Sequence, residues 1–286
     1  MTILSFNSTF SNNVIAILDG VPSTELQTGR QLNENLLDAK QGKLVPEILY
    51  YRIDDGAGLF TVLENIETLC IEQGVKPIIH IEAHGGKSCG IGVGDGQDIV
   101  DWSQLVEAFR KINVACGNNL GVVMAACHGL YAISPLHIAE PCPYYFLIGA
   151  EEVVLAGQID AVMFPFYKKL HSTGRLNSAM DLLDDKFKQF HAEKFFCISF
   201  GKYLLNSCIG KKGRDRRERL ITEYFSQSNV PRTTANLAAI RRSIKKSMKS
   251  TQTSFYRLGR VFLHGRCNIP YSKLEKFVRE GQRKRK

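Results

Sequence analysis

From residue 14 to residue 150 the chain alternates short apolar runs with amphipathic stretches, and this alternation most limits what it can fold into. VIAILD (14–19), EILYYRID (47–54), IIHIEA (78–83), LGVVMAA (120–126) and PYYFLIGA (143–150) are rich in β-branched or aromatic side chains. Runs of this kind, with few polar positions to face water, belong in a parallel sheet covered on both faces. The segments at 28–41, 59–73 and 101–115 have apolar residues at helical spacing; Gly74 stops the second, and Asp101 is placed to cap the third. Beyond residue 150 the spacing predicts two helices, AGQIDAVMFPFYKKLHS and NSAMDLLDDKFKQFHA, divided by Gly174, and then a strand-like FFCISF (195–200). The repeat predicts an α/β fold: a mostly parallel sheet flanked by helices on both faces.

Charge divides the chain. Residues 1–200 carry 14 Lys and Arg against 23 Asp and Glu, a net −9, whereas residues 201–286 carry 23 against 5, a net +18. Two regions are therefore expected, an acidic α/β domain at 1–200 and a basic, mainly helical region at 201–286 that ends in GQRKRK. At 44% hydrophobic and 23% charged residues, a disordered or fibrous chain is excluded. No apolar run approaches the roughly 20 residues that span a bilayer, so no membrane span is expected. The opening MTILSFNSTFSNN has neither a basic n-region nor a long apolar core, which makes the cytoplasm the default location. The eight cysteines are scattered without a C-x-x-C pair, so neither a zinc ribbon nor a disulfide framework is visible.

Two of the apolar runs end in chemistry. PIIHIEAHGG (77–86) places His80, Glu82 and His84 on one face at period two and then turns into glycine. LGVVMAACHGL (120–130) ends in Cys127-His128-Gly129. Open α/β sheets bind ligands at the carboxyl ends of their strands. Neighbouring parallel strands would bring the His84 imidazole and the Cys127 thiol to one edge. A base within reach of a thiol raises the thiolate fraction, and thiolate is the attacking species. Gly85 leaves its N–H uncovered, so that it and the N–H of Cys127 can meet a developing oxyanion. His80 and His84 lie about 13 Å apart along a strand, too far for one ion, and no metal site is expected. His80 reads instead as a hydrogen-bonded support. The G-K-S of EAHGGKSCG lacks the first glycine of a phosphate loop, because Ile81 stands there.

His-Gly closing one apolar block and Ala-Cys-His-Gly closing the next resemble the caspase-like cysteine peptidases, including the caspase/separase-related domains of prokaryotes. The caspase pattern is Q-A-C-[RQG]-G with a histidine about 50 residues upstream; here A-A-C-H-G follows His84 by 43 residues. Glutamine amidotransferases of the Cys-His-Glu type have the reverse order. The resemblance spans about residues 10–200. It implies a caspase-like sheet and a cysteine endopeptidase that cleaves a protein substrate through a thioester, with His84 as base and then acid and Cys127 as nucleophile. No cofactor is implied. Relatives are typically latent until an activating partner or signal releases them, in stress, cell-death or anti-phage pathways. One departure is Ala125, two residues before the cysteine, where caspases have glutamine and metacaspases aspartate. Acidic residues at strand ends that line the substrate pocket in relatives, namely Asp19, Glu151 and Glu152, lean the specificity towards a basic or uncharged P1 residue. The basic C-terminal region has two readings: it binds nucleic acid or an anionic membrane surface, or it folds back on the acidic domain as a cap or partner-docking surface. The alternative to the enzyme is a catalytically inactive caspase-like scaffold that binds nucleic acid or a partner protein through this region.

Overall fold

The computed structural model describes residues 2–6, 11–39, 46–95, 98–208, 210–248 and 251–284. The chain divides into two compact units, one formed by residues 7–192 and the other by residues 193–286 together with residues 1–6. The first unit is the α/β domain. Its strands are β1 (Val14–Asp19), β2 (Glu47–Arg52), β3 (Pro77–Glu82), β4 (His84–Gly86), β5 (Gly90–Val93), β6 (Asp98–Val100), β7 (Gly121–Ala125), β8 (Phe146–Ala150) and β9 (Phe187–His191). Its helices are α1 (Thr28–Ala39), α2 (Gly56–Gln73), α3 (Trp102–Ala115), α4 (Ala156–Thr173) and α5 (Leu176–Met180).

Six strands form the main sheet in the order β2-β1-β3-β7-β8-β9. The first five are parallel, and β9 joins β8 antiparallel. Every residue of β1, β3, β7 and β8 is buried, as both-face coverage requires. On one face Ile15, Ile17, Ile78, Val123, Phe146 and Ile148 pack with Leu32 and Leu36 of α1 and with Met163, Phe166 and Leu170 of α4. Side chains of this size contribute roughly 1.5–3 kcal/mol each on full burial. The alternate positions Ala16, Leu18, Ile79, Ile81, Val122 and Met124 are equally buried. Helix α2 begins where the Asp55 carboxylate accepts the Gly58 N–H at 2.6 Å and ends at Gly74 in the left-handed region. Asp101 caps α3 in a capping box with Gln104.

Three elements differ from the expectation. A small antiparallel sheet, β4-β5-β6, follows β3, and its short glycine-rich strands carry no hydrophobic period. The segment NSAMDLLDDKFKQFHA yields only the short α5, then a turn, then β9; pairing with β8 overrides the helical spacing of its apolar residues. FFCISF belongs to a helix, α6 (Ala192–Tyr203), in which Phe196 and Phe200 are one turn apart and buried. The boundary between units therefore falls at 192/193 rather than 200/201. The predicted end of α1 at residues 40–41 and the last two residues of the basic tail lie outside the described residues.

The second unit is helical: α6, a π-helical turn at Leu204–Cys208, α7 (Gly210–Gln227), α8 (Thr234–Met248), α9 (Thr251–Phe262) and α10 (Tyr271–Lys284). Its core is aromatic. Phe255 lies 5.2 Å, centroid to centroid, from both Phe196 and Phe200, and Phe262 stacks on Phe196. The buried Glu193 carboxylate accepts the N–H groups of Asn268 and Ile269. No helix among the described residues is long and apolar enough to cross a membrane.

Candidate active site

Strands β3 and β7 are adjacent and parallel, with Glu82 paired to Ala125 at the carboxyl end of the ladder. His84 and Cys127 each lie two residues beyond that last pair. The chains stay close there: a Cβ added to Gly85 would stand 1.8 Å from the carbonyl oxygen of Cys127 and 3.1 Å from its nitrogen. Only glycine permits this approach. The glycine after the histidine thus has a steric reason that the sequence alone did not reveal.

The turn after β7 is tightly held. His128 has φ 57°, the left-handed region that a non-glycine residue rarely adopts. Its backbone N–H donates to the Glu152 carbonyl at 3.1 Å, and its Nδ1 donates to the Glu151 carbonyl at 2.8 Å. A carbonyl only accepts, so Nδ1 carries the proton. The ring is therefore directed at the loop after β8, not at the neighbouring thiol. Cys127 Sγ receives the Val154 N–H at 3.4 Å and lies 3.5 Å from the Val154 carbonyl. Gly149 of β8 lets this turn pack down, since a Cβ there would come within 2.7 Å of the Gly129 and Leu130 backbone. The half-exposed His84 directs Nε2 to Glu25 Oε1 at 2.9 Å. Residues 84 and 127 thus both follow the carboxyl ends of adjacent strands, while the His84 imidazole is bonded to Glu25 and the Cys127 thiol to Val154.

A cleft of about 410 Å³ opens beside the cysteine turn, lined by Lys87, His128, Tyr131, Ser134, Glu151 and Glu152 among others. Lys87 Nζ lies 5.6 Å from the centre of the Tyr131 ring. Glu151 and Glu152 are exposed at its wall, and their carbonyls also hold His128. Asp19 is placed differently from the expectation. Its carboxylate is fully buried, accepts the Tyr50 hydroxyl at 2.8 Å and the Val21 N–H at 3.3 Å, and pairs with Arg52 at 3.3 Å. A substrate cation would have to displace Arg52. Burial and the Asp19 carboxylate together push the Tyr50 phenol well above its ordinary range. Ala125 is likewise buried, within the core beside Glu82, and not in the cleft wall.

Beneath this edge lies a buried polar network. Glu82 accepts from the Thr28 hydroxyl and from His80 Nε2 at 3.0 Å, and His80 Nδ1 accepts from the Tyr167 hydroxyl at 3.1 Å. Every polar atom of the His80 ring is used, so His80 supports the strand end. Among the described residues no three His, Cys, Asp or Glu side chains are arranged to hold a metal ion. Sequence reasoning missed Glu25 and Val154: the first lies in the polar loop VPSTELQTG, the second follows a strand, and neither belongs to a motif.

No protein-family model matches the chain, and no curated protein matches it. The protein has two units, and the larger is an α/β domain with a mostly parallel six-stranded sheet.

Proposed function

We propose that the protein is a caspase-like cysteine endopeptidase acting through His84 and Cys127. His84 takes the thiol proton, and the Cys127 thiolate attacks the scissile carbonyl of a bound peptide. The N–H groups of Gly85 and Cys127 hold the oxyanion. Collapse forms the thioester and expels the amine, to which His84 returns the proton. Water, deprotonated by His84, then releases the acid and restores the thiol. The observation that carries this reading is the equal two-residue offset of His84 and Cys127 from the last β3–β7 pair, with Gly85 packed on the Cys127 backbone. Glu151 and Glu152 in the cleft wall favour a substrate with a basic or uncharged side chain there, in keeping with charge-assisted hydrogen bonding.

The test is covalent labelling of the full chain with a peptidyl electrophile that has lysine or a neutral residue at P1, followed by mass mapping. Selective modification of Cys127 that disappears in His84→Ala is the expected result. Equal, slow modification of every accessible cysteine, indifferent to His84, would leave a scaffold and not a peptidase.

A further inference from the structure

We infer that Glu25 is a positioning residue for His84, a carboxylate that completes the dyad from the loop between β1 and α1. The inference rests on the peptidase reading above and adds a residue that reading does not need. Glu25 Oε1 stands 2.9 Å from His84 Nε2. A carboxylate only accepts, so Nε2 carries the hydrogen and the lone pair falls on Nδ1. In that tautomer Nδ1 is the one ring atom able to take a proton from the Cys127 thiol. Once it does, the Nε2 hydrogen remains bonded to the Glu25 carboxylate, so the ring keeps its orientation while the thiolate attacks.

The loop is built to hold this contact. Its base is tied to the strands that flank His84: the Gly20 N–H donates to the Glu82 carbonyl at 2.8 Å, and the Gly94 N–H donates to the Gly20 carbonyl at 2.9 Å. Glu82 precedes His84 by two residues, and Gly94 follows β5, which pairs with β4 across His84 and Gly92. The far side of the loop is closed on itself. The Glu25 N–H donates to the Pro22 carbonyl at 3.0 Å, and the Gln27 side-chain amide donates to the carbonyls of Pro22 and Glu25. Ser23 adds its N–H and hydroxyl to Asp95 Oδ1 at 3.4 Å. The backbone beneath Glu25 is thus fixed relative to His84 by bonds that do not involve the Glu25 side chain. Removing the carboxylate therefore leaves the loop standing. Both side chains are about half exposed, at 55% for His84 and 47% for Glu25, so water screens the pair and the effect is well short of that of a buried triad.

The experiment measures kinact and KI for the same peptidyl electrophile on the full chain, as wild type, Glu25→Ala, Glu25→Gln and His84→Ala. Glu25→Ala is expected to lower kinact about tenfold, less than the roughly 100- to 10,000-fold that an acid–base group supplies directly because Glu25 acts only through His84, with KI and Tm unchanged. Glu25→Gln falls between, because its amide oxygen still accepts from Nε2 without the charge. An unchanged or raised kinact in Glu25→Ala while labelling still requires His84 overturns this inference alone; a raised value makes the contact a brake. Labelling of Cys127 that is indifferent to His84→Ala removes the peptidase reading, and Glu25's role with it.

Discussion

Replacing Gly85 by alanine asks whether the approach of the two strand ends is what makes a site. The added Cβ would stand 1.8 Å from Cys127 O, 2.8 Å from its carbonyl carbon and 3.1 Å from its nitrogen. Ordinary contact begins at 3.4 Å, so the carbonyl oxygen and the methyl must separate by 3.4 − 1.8 = 1.6 Å. Both sides of the clash are backbone, and no rotamer change relieves it. Overpacking of this kind costs about 1–3 kcal/mol, which for a domain of this size lowers Tm by roughly 2–4 °C per kcal/mol. The functional cost is larger. A misplacement of about 1 Å between reacting groups costs about 100-fold in rate, and Gly85→Ala is expected to slow labelling of Cys127 at least that much. Gly92→Ala is the comparator. Gly92 is the β5 partner of His84, yet its Cβ would meet only His84 Cβ at 3.8 Å and Ile99 Cδ1 at 4.0 Å, so labelling within about twofold of wild type is expected. The readouts are kinact for the peptidyl electrophile and Tm by circular dichroism. Wild-type labelling in folded Gly85→Ala would refute the reasoning, because the contact would then be irrelevant to the thiol.

Two further outcomes concern buried charge. Arg52→Met leaves the fully buried Asp19 carboxylate with only the Tyr50 hydroxyl and the Val21 N–H; a loss of about 2–3 kcal/mol in urea unfolding is expected, below the usual 3–5 for a broken buried pair because the Arg52 side chain is 28% exposed. Adding Asp19→Asn should recover much of that loss, and no recovery would mean that the pair does not carry it. Burial holds the His171 imidazole below its ordinary range. With the folded value depressed, the unfolded chain binds the proton first, so stability is complete above about pH 6.5 and declines as pH falls below it. His171→Gln should flatten that part of the stability profile, and an unchanged slope between pH 7 and 5 would show that His171 does not contribute.

The central strands were legible because burial on both faces leaves one kind of sequence: VIAILD and GVVMA have almost no polar positions and can lie nowhere else. Helix ends were legible where a side chain does the capping, as at Asp101, or where the backbone needs glycine, as at Gly74 and Gly174. Elements whose state is decided by a distant partner were not. Phe187 and Phe190 have helical spacing from Ala179 and Leu183, and only the free edge of β8 makes that stretch a strand. FFCISF is the converse. A six-residue apolar run fits a buried strand or a buried helix equally well, and aromatic contacts of Phe196 and Phe200 with Phe255, more than fifty residues on, decide for the helix.

The site divides along the same physical line. The equal offset of His84 and Cys127 could be read from sequence because adjacent parallel strands place equal offsets at one edge, and the β3–β7 register leaves both residues two positions past its last pair. Residues that act on them through the backbone leave no such trace. Glu151 and Glu152 read as acidic side chains, yet their carbonyls are what hold His128, and any residue has a carbonyl. Val154 reaches the thiol through its own N–H, which a valine shares with every residue but proline. The error at Asp19 has a different origin. Its partner Arg52 lies at the end of a strand 33 residues later, opposite Asp19 in the β1–β2 register. A carboxylate at a strand end can be counted as an open charge only after every neighbouring strand end has been checked for a cation. Of the original set, Glu151 and Glu152 are the acidic side chains left exposed, in a cleft wall that they share with Lys87, and the proposed preference for a basic or uncharged substrate side chain rests on them.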